Sequence, residues 1–258
     1  MPQIAAAGHS LEYVWIDGSG AALPTLVFLH EGLGSIRQWR DFPRQVAKST
    51  GCRALVYDRY GYGNADVLAE DGVGVDFMHQ EALKTLPEVL SKLKIDNPVL
   101  VGHSDGASIA LIHAGAGHPV RGVAVMAPHV FIEDICVNSI REASEQFETT
   151  DLPQRLGKYH RDARKTFYLW ADAWLDPGFK DWNIEEYLPG VRCPVLAIQG
   201  EDDEYGTLAQ LDAIRRQVNG SCDLLTLPQC GHSPYRDQPE KVLISLEEFI
   251  GKIIGTNP

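Results

Sequence analysis

The pentapeptide Gly102-His103-Ser104-Asp105-Gly106 follows the apolar run Pro98-Val99-Leu100-Val101 and leads into Ala107-Ser108-Ile109-Ala110-Leu111-Ile112. A serine held on a sharp turn between a buried strand and a helix adopts a strained backbone, at a cost of roughly 1–3 kcal/mol. Its neighbours must then be small. Gly102 and Gly106 remove the Cβ atoms that would collide with adjoining strands, and Ser104 is pushed out above the sheet with helix N–H groups pointing toward it. The chemistry this permits is attack of an alcohol oxygen on a carbonyl carbon. The same spacing also fits a serine that only caps a helix, so the partners decide between the two.

A serine hydroxyl is a poor nucleophile until a base within about 2.6–3.2 Å takes its proton. His232, in Gln229-Cys230-Gly231-His232-Ser233-Pro234, lies between the last apolar run and the last helical stretch. That places it at the carboxyl edge of the sheet, where Ser104 also sits and where open α/β sheets bind ligands. A carboxylate must hold the imidazole in the correct tautomer. Asp203, in Gly200-Glu201-Asp202-Asp203-Glu204, is the first choice, with Asp202 second and Asp134 third. Four consecutive acids cannot all be buried beside one imidazole, so the rest must face solvent or other partners.

Charge that develops on the carbonyl oxygen needs fixed N–H donors, each worth roughly 2.7–4 kcal/mol in the transition state. The backbone N–H of Asp105 is one candidate. The second comes from His30-Glu31-Gly32-Leu33-Gly34-Ser35, where Gly32 is preferred and Leu33 is the alternative. Glu31 puts a carboxylate beside this loop, and a negative charge aimed at an oxyanion opposes catalysis. Glu31 is therefore expected either to turn away onto a cation such as Arg37 or Arg59, or to recognise substrate.

The elements that must position these groups are apolar runs at 26–29, 54–57, 99–101, 123–126, 195–198 and 224–227, separated mostly by helical stretches at 40–49, 78–93, 107–114, 207–218 and 239–253. Continuous rather than alternating apolar positions indicate strands buried on both faces of a mainly parallel sheet. Residues 11–16 alternate and read as an antiparallel edge strand. Between Met126 and Val195 no strand is evident, and the segment is rich in charge and aromatics. It is read as a helical cap over 129–190, with a core made of 1–128 and 191–258. Phe167, Trp170 and Trp174 have helical spacing, so most cap aromatics are expected to pack inward. Trp170 and Trp174, with Glu31 and Leu33, are the candidates for substrate contact.

The chain has 258 residues, 44% of them hydrophobic, enough for one large α/β core. A net charge of −12 argues against nucleic acid and anionic membranes, which need clustered Lys and Arg. No apolar stretch approaches the roughly 20 residues of a bilayer span, and Met1–Ser10 does not resemble a signal peptide. A small-molecule substrate, no membrane partner and a cytoplasmic location are the expectation, and a homo-oligomer is compatible with it. Five cysteines without a Cys-x-x-Cys pair suit free thiols in a reducing compartment, with Cys230 a buried filler. The nine dispersed histidines give no metal-ligand spacing.

With these motifs together, the chain resembles the α/β-hydrolase superfamily over essentially its full length. The matching residues are His30–Ser35, Asp58-Arg59-Tyr60-Gly61-Tyr62-Gly63, Gly102–Gly106, Gly200–Asp203 and Gly231-His232. The resemblance implies a mostly parallel eight-stranded sheet flanked by helices with an inserted cap, a Ser104–Asp203–His232 triad, and no metal or organic cofactor. The motifs say little about substrate; the reading adopted is a serine hydrolase acting on a small, largely apolar ester or lactone. A carbon–carbon bond hydrolase of aromatic ring-cleavage products and a ligand receptor with a silent triad are the alternatives. A buried arginine near Ser104 would favour the carbon–carbon reaction.

Overall fold

In a computed structural model the described residues are 1–19, 23–69 and 74–255. Eight strands form one sheet: β1 (Gln3–Ala6), β2 (His9–Ile16), β3 (Leu26–Leu29), β4 (Ala54–Tyr57), β5 (Val99–His103), β6 (Gly122–Met126), β7 (Val195–Gly200) and β8 (Cys222–Leu227). Their spatial order is β1-β2-β4-β3-β5-β6-β7-β8. From β4 to β8 every pairing is parallel, whereas β2 runs antiparallel to both β1 and β4.

Residues 11–16 are thus antiparallel as expected, but they do not form the edge. β1 lies outside them, joined by a hairpin whose two loop residues, Ala7 and Gly8, both have positive φ (50° and 84°). That backbone is the tight turn matching strand twist, and Ala-Gly signals it more weakly than Asn-Gly does.

Side-chain alternation divides the strands between two cores. Val27, Leu29, Leu55, Leu100, Val123, Val125 and Ala197 face one side, while Leu26, Phe28, Val56, Val99, Val101, Ala124 and Ile198 face the other. The first face is covered by α3 (Leu86–Lys92), α4 (Asp105–Gly115) and α8 (Ala209–Gln217); the second by α1 (Phe42–Thr50), α9 (Pro234–Asp237) and α10 (Pro239–Ile254). A short helix, α2 (Phe77–Gln80), runs through a π-helical turn at Glu81–Thr85 into α3. Full burial on both faces is why the central strands read as unbroken apolar runs.

Between β6 and β7 the chain leaves the sheet for α5 (Asp134–Gln146), α6 (Leu152–Leu156) and α7 (Ala163–Leu175), with 3-10 turns at Phe147–Thr149, Pro177–Phe179 and Glu185–Gly190. Its aromatics mostly pack on one another: Phe147 stacks on Phe167 at 3.9 Å and Phe179 on Trp182 at 5.3 Å. A single antiparallel bridge, Phe131–Asn183, and a hydrogen bond of 2.8 Å from Ile184 N–H to the Val130 carbonyl close the base of this excursion. Among the described residues, no helix is long and apolar enough to cross a membrane.

The β5–α4 junction shows how tightly sequence constrains geometry. Ser104 has φ 51° and ψ −119°, outside the ordinary regions for a residue with a side chain. A Cβ on Gly106 would overlap the Leu29 carbonyl of β3, and one on Gly102 would overlap the Gly106 backbone. Gly106→Ala is therefore expected to push α4 off the sheet and to destabilise the fold by about 3 kcal/mol. Thermal unfolding should show a Tm lower by roughly 6–12 °C; an unchanged Tm would contradict this packing.

Candidate functional site

The strained turn lifts Ser104 to the carboxyl edge, where three loops converge on it. The loop after β8 brings His232, whose Nε2 lies 2.9 Å from Ser104 Oγ. The loop after β7 brings Asp203, whose Oδ1 lies 2.8 Å from His232 Nδ1. A carboxylate can only accept here, so Nδ1 carries the proton and Nε2 presents its lone pair to the hydroxyl. Of the three acids considered, Asp203 alone reaches the imidazole. It is buried, while Asp202 and Asp134 are exposed. Asp203 also accepts from the Tyr205 N–H at 2.8 Å and from Gln199 Nε2 at 2.7 Å, which leaves its charge fully solvated by protein donors.

Burial pushes the His232 pKa down, but the hydrogen bond and charge of Asp203 outweigh it, and the net shift is upward. Asp203 shows the mirror effect. Burial raises its pKa, yet bonding to His232 and to the Tyr205 N–H lowers it overall.

The His232 loop is clamped at its backbone. Glu204 accepts its N–H at 3.1 Å, Asp237 accepts the Gly231 N–H at 2.9 Å, and its carbonyl accepts from His103 Nε2 at 2.7 Å. The other ring nitrogen of His103 faces Glu31 Oε2 at 3.3 Å. Glu31 Oε1 in turn accepts from Arg236 on α9 at 2.8 Å. The expected cation for Glu31 was Arg37 or Arg59, and the structure corrects this. Arg37 donates to the Lys158 carbonyl, and Arg59 donates to the carbonyls of His30 and Glu31 while facing Asp105 at 3.6 Å. α9, a helix not anticipated from sequence, delivers Arg236 instead. Burial works to raise the Glu31 pKa, but His103 and Arg236 together hold it well below the usual carboxylate range.

The loop after β3 is fixed from beneath. Asp58 accepts the Ile36 N–H at 2.7 Å and the Asn64 N–H at 2.8 Å, tying it to the 58–63 loop. His30 donates from Nδ1 to the Glu31 carbonyl and accepts the Arg59 N–H at Nε2. His160, from the excursion, accepts the Gly63 N–H at 2.9 Å and donates to the Leu33 carbonyl at 3.0 Å. Burial lowers its pKa to about 4, so it stays neutral and makes both bonds. Gly32 runs so close under Trp170 that a Cβ there would overlap the indole. Asp105 sits in the first turn of α4, where N–H groups have no intrahelical acceptor. Its side chain is wholly buried; burial raises its pKa and Arg59 opposes the rise.

These loops and the excursion line a cavity of about 100 Å³, open on one side, against Ser104 and His232. Glu31, Leu33, Trp170 and Trp174 all line it, with Gly32, Ile140, Cys136, Tyr205 and His129. His103, His129 and His160 were not singled out in the sequence. The available signal was positional for two of them: His103 stands inside the pentapeptide, and His129 follows the end of β6 at the same sheet edge as Ser104. Cys230 is buried, and burial raises its pKa to about 11, which makes it an inert thiol. Among the described residues, no group of three or more His, Cys, Asp or Glu side chains is placed to hold a metal ion.

Residues 26–244 match the model of the Alpha/beta hydrolase family. The human serine hydrolase BPHL is 31% identical over 189 residues, covering 69% of this chain and 62% of that protein. The chain thus spans about six-tenths of the length of that curated relative. The mouse sn-1-specific diacylglycerol lipase ABHD11 is 31% identical over 274 residues, covering 93% of this chain and 85% of that protein. Among solved structures, the enol-lactonase from Burkholderia xenovorans LB400 superposes with a TM-score of 0.76 at 16% identity, covering 96% and 99% of the two chains. At that identity the likeness concerns the fold.

The electrostatics of His232 can be read directly. Its imidazole resonances are expected to titrate above the ordinary 6.5 in the unaltered chain. In Asp203→Asn the charge that raises the pKa is gone, so the midpoint should fall. Equal midpoints in the two proteins would show that Asp203 does not govern the imidazole.

Proposed function

The chain belongs to the alpha/beta hydrolase family, and from that premise we propose that it is a serine hydrolase cleaving a small, largely apolar carboxylic ester or lactone through an acyl-enzyme on Ser104. The observation that carries the reading is the unbroken line of hydrogen bonds from Asp203 through His232 to Ser104, 2.8 Å and 2.9 Å long, ending in a cavity.

As Ser104 Oγ attacks the carbonyl carbon, its proton passes to His232 Nε2. The carboxylate of Asp203 stabilises the imidazolium and keeps the Nδ1 proton in place. The N–H groups of Gly32 and Asp105 receive the oxyanion. His232 then gives the proton to the departing alcohol oxygen. In the second half, His232 takes a proton from water, the hydroxide attacks the acyl carbon, and Ser104 leaves with that proton restored. Glu31 lies beside the oxyanion loop, but Arg236 and His103 hold its charge, so it does not oppose the developing anion.

The cavity supports a short acyl group. At about 100 Å³ it is smaller than the ~150 Å³ apolar cavities that hold one benzene ring. Leu33, Ile140, Trp170 and Trp174 make most of its wall apolar. Arg59 is the one buried arginine among the described residues; its Nη2 donates to two carbonyls and lies 3.6 Å from Asp105, and it does not line the cavity at Ser104. A carboxylate-bearing ring-cleavage product would lack a free buried cation, which favours the ester over the carbon–carbon reading. The relatives named as a serine hydrolase and a diacylglycerol lipase support hydrolysis at ester bonds. The cysteines found unpaired fit a reducing, cytoplasmic location.

The test is a fluorophosphonate probe followed by intact mass. One adduct on Ser104 is expected, absent in Ser104→Ala, and Asp203→Asn should lower turnover of esters by roughly 10⁴-fold. p-Nitrophenyl acetate and butyrate should be hydrolysed at least about tenfold more efficiently than the decanoate, because the longer chain exceeds the cavity. Absence of any adduct would sink the serine-hydrolase reading, and a preference for decanoate would sink the short-acyl part of it.

A further inference from the structure

The histidines around the site are treated unequally by this fold. His30, His160 and His232 each have both ring nitrogens in hydrogen bonds. His103 has one nitrogen on a carbonyl and the other facing a carboxylate. His129 is different. It is only 2% exposed and lines the cavity beside Ser104, yet among the described residues its hydrogen bonds are made by its backbone alone, to Ser108.

That backbone is firmly held. Ser108 Oγ, one helical turn beyond Ser104, donates to the His129 carbonyl at 2.6 Å and accepts its N–H at 3.3 Å. The next N–H, of Val130, is accepted by Gln210 Oε1 at 2.7 Å. The ring is wedged edge-on to Trp174 at 5.0 Å and lies 5.7 Å from the His232 ring. Burial, with the neighbouring His232 in second place, lowers its pKa to about 3. At neutral pH the ring therefore offers one N–H donor and one lone pair, and it is too weak a base to replace His232.

A neutral imidazole held by its backbone, with no ring partner among the described residues and lining a largely apolar pocket, is placed to bond a polar group of a ligand. The sheet order specifies where. Gly32 approaches Ser104 from β3 on one side of β5, and His129 approaches from β6 on the other. A carbonyl held at Ser104 thus lies between the Gly32 loop and His129.

We infer that His129 is a specificity-determining residue that hydrogen-bonds a hydroxyl or oxo group of the substrate near the reactive carbonyl, so that oxygenated short esters are preferred over their hydrocarbon isosteres. This rests on the serine-hydrolase reading above and narrows its substrate class.

The experiment uses pairs matched in shape. On the acyl side, p-nitrophenyl 3-hydroxybutyrate is compared with p-nitrophenyl 3-methylbutyrate; on the alcohol side, 2-hydroxypropyl butyrate with isobutyl butyrate. The unaltered enzyme is expected to favour the hydroxylated member of at least one pair by roughly tenfold or more in kcat/KM, the discrimination open to a site built to bond a substrate hydroxyl. His129→Leu should abolish that preference while still labelling with fluorophosphonate at Ser104 and hydrolysing the hydrocarbon member. His129→Gln, which keeps a donor and an acceptor, should retain part of it. Ratios near one in both pairs for the unaltered enzyme overturn the proposal whether or not the variants fold, as does an unchanged ratio in His129→Leu. If neither an adduct nor turnover of any ester is found, the hydrolase reading itself fails, an outcome distinct from loss of discrimination alone.

Discussion

The close approach of α4 to β3 and β5 is the constraint on which the rest depends. Because Gly102 and Gly106 lack side chains, the helix begins directly beneath the sheet edge, and the chain can turn only through the unfavourable backbone seen at Ser104. The Cα and Cβ of the serine are thereby fixed, and the contact with His232 places its oxygen. Every other loop at that edge is then placed relative to it. The clamps on the His232 backbone, the Asp58 bonds under the β3 loop and the His160 bridge all bring the neighbouring loops into register with it.

Around that atom the protein concentrates ionisable groups that would be costly to bury singly. The solution is one of matched pairs. Asp203 faces His232, Glu31 faces Arg236 and His103, and Asp105 faces Arg59. Each carboxylate faces a basic group anchored on a different element, closely for Asp203 and Glu31 and at 3.6 Å for Asp105. The same pairs link α9, the 58–63 loop and α4 across the sheet edge. Electrostatics and tertiary assembly are therefore served by the same contacts.

The sequence showed the parallel part of this architecture because its physics is local. A strand covered on both faces must be apolar at every position, and β3 and β4 coincide end to end with their apolar runs. β1 was hidden because an exposed hairpin strand needs no such run and its Ala-Gly turn is unobtrusive. Ser104, His232 and Asp203 stood out because each sits where a strand ends. The sequence ranked Asp203 above Asp202, but the burial of one and the exposure of the other, which separates them, is concealed in a run of four acids. The partner of Glu31 and the bridges made by His103 and His160 join residues far apart in the chain. No local pattern encodes them, and His129 looks like any loop histidine until its surroundings are seen.

The excursion that carries α5, α6 and α7 leaves from β6 and returns to β7, two strands that are themselves paired. Its base is fastened by the Phe131–Asn183 bridge and the bond from Ile184 to Val130. The two ends are thus brought together by the sheet, whatever lies between them. Lengthening a closed loop costs only about 0.6 kcal/mol per doubling, so such a segment is an exchangeable module. A change of length there would alter the roof over the cavity while leaving the sheet edge that carries Ser104 as it is.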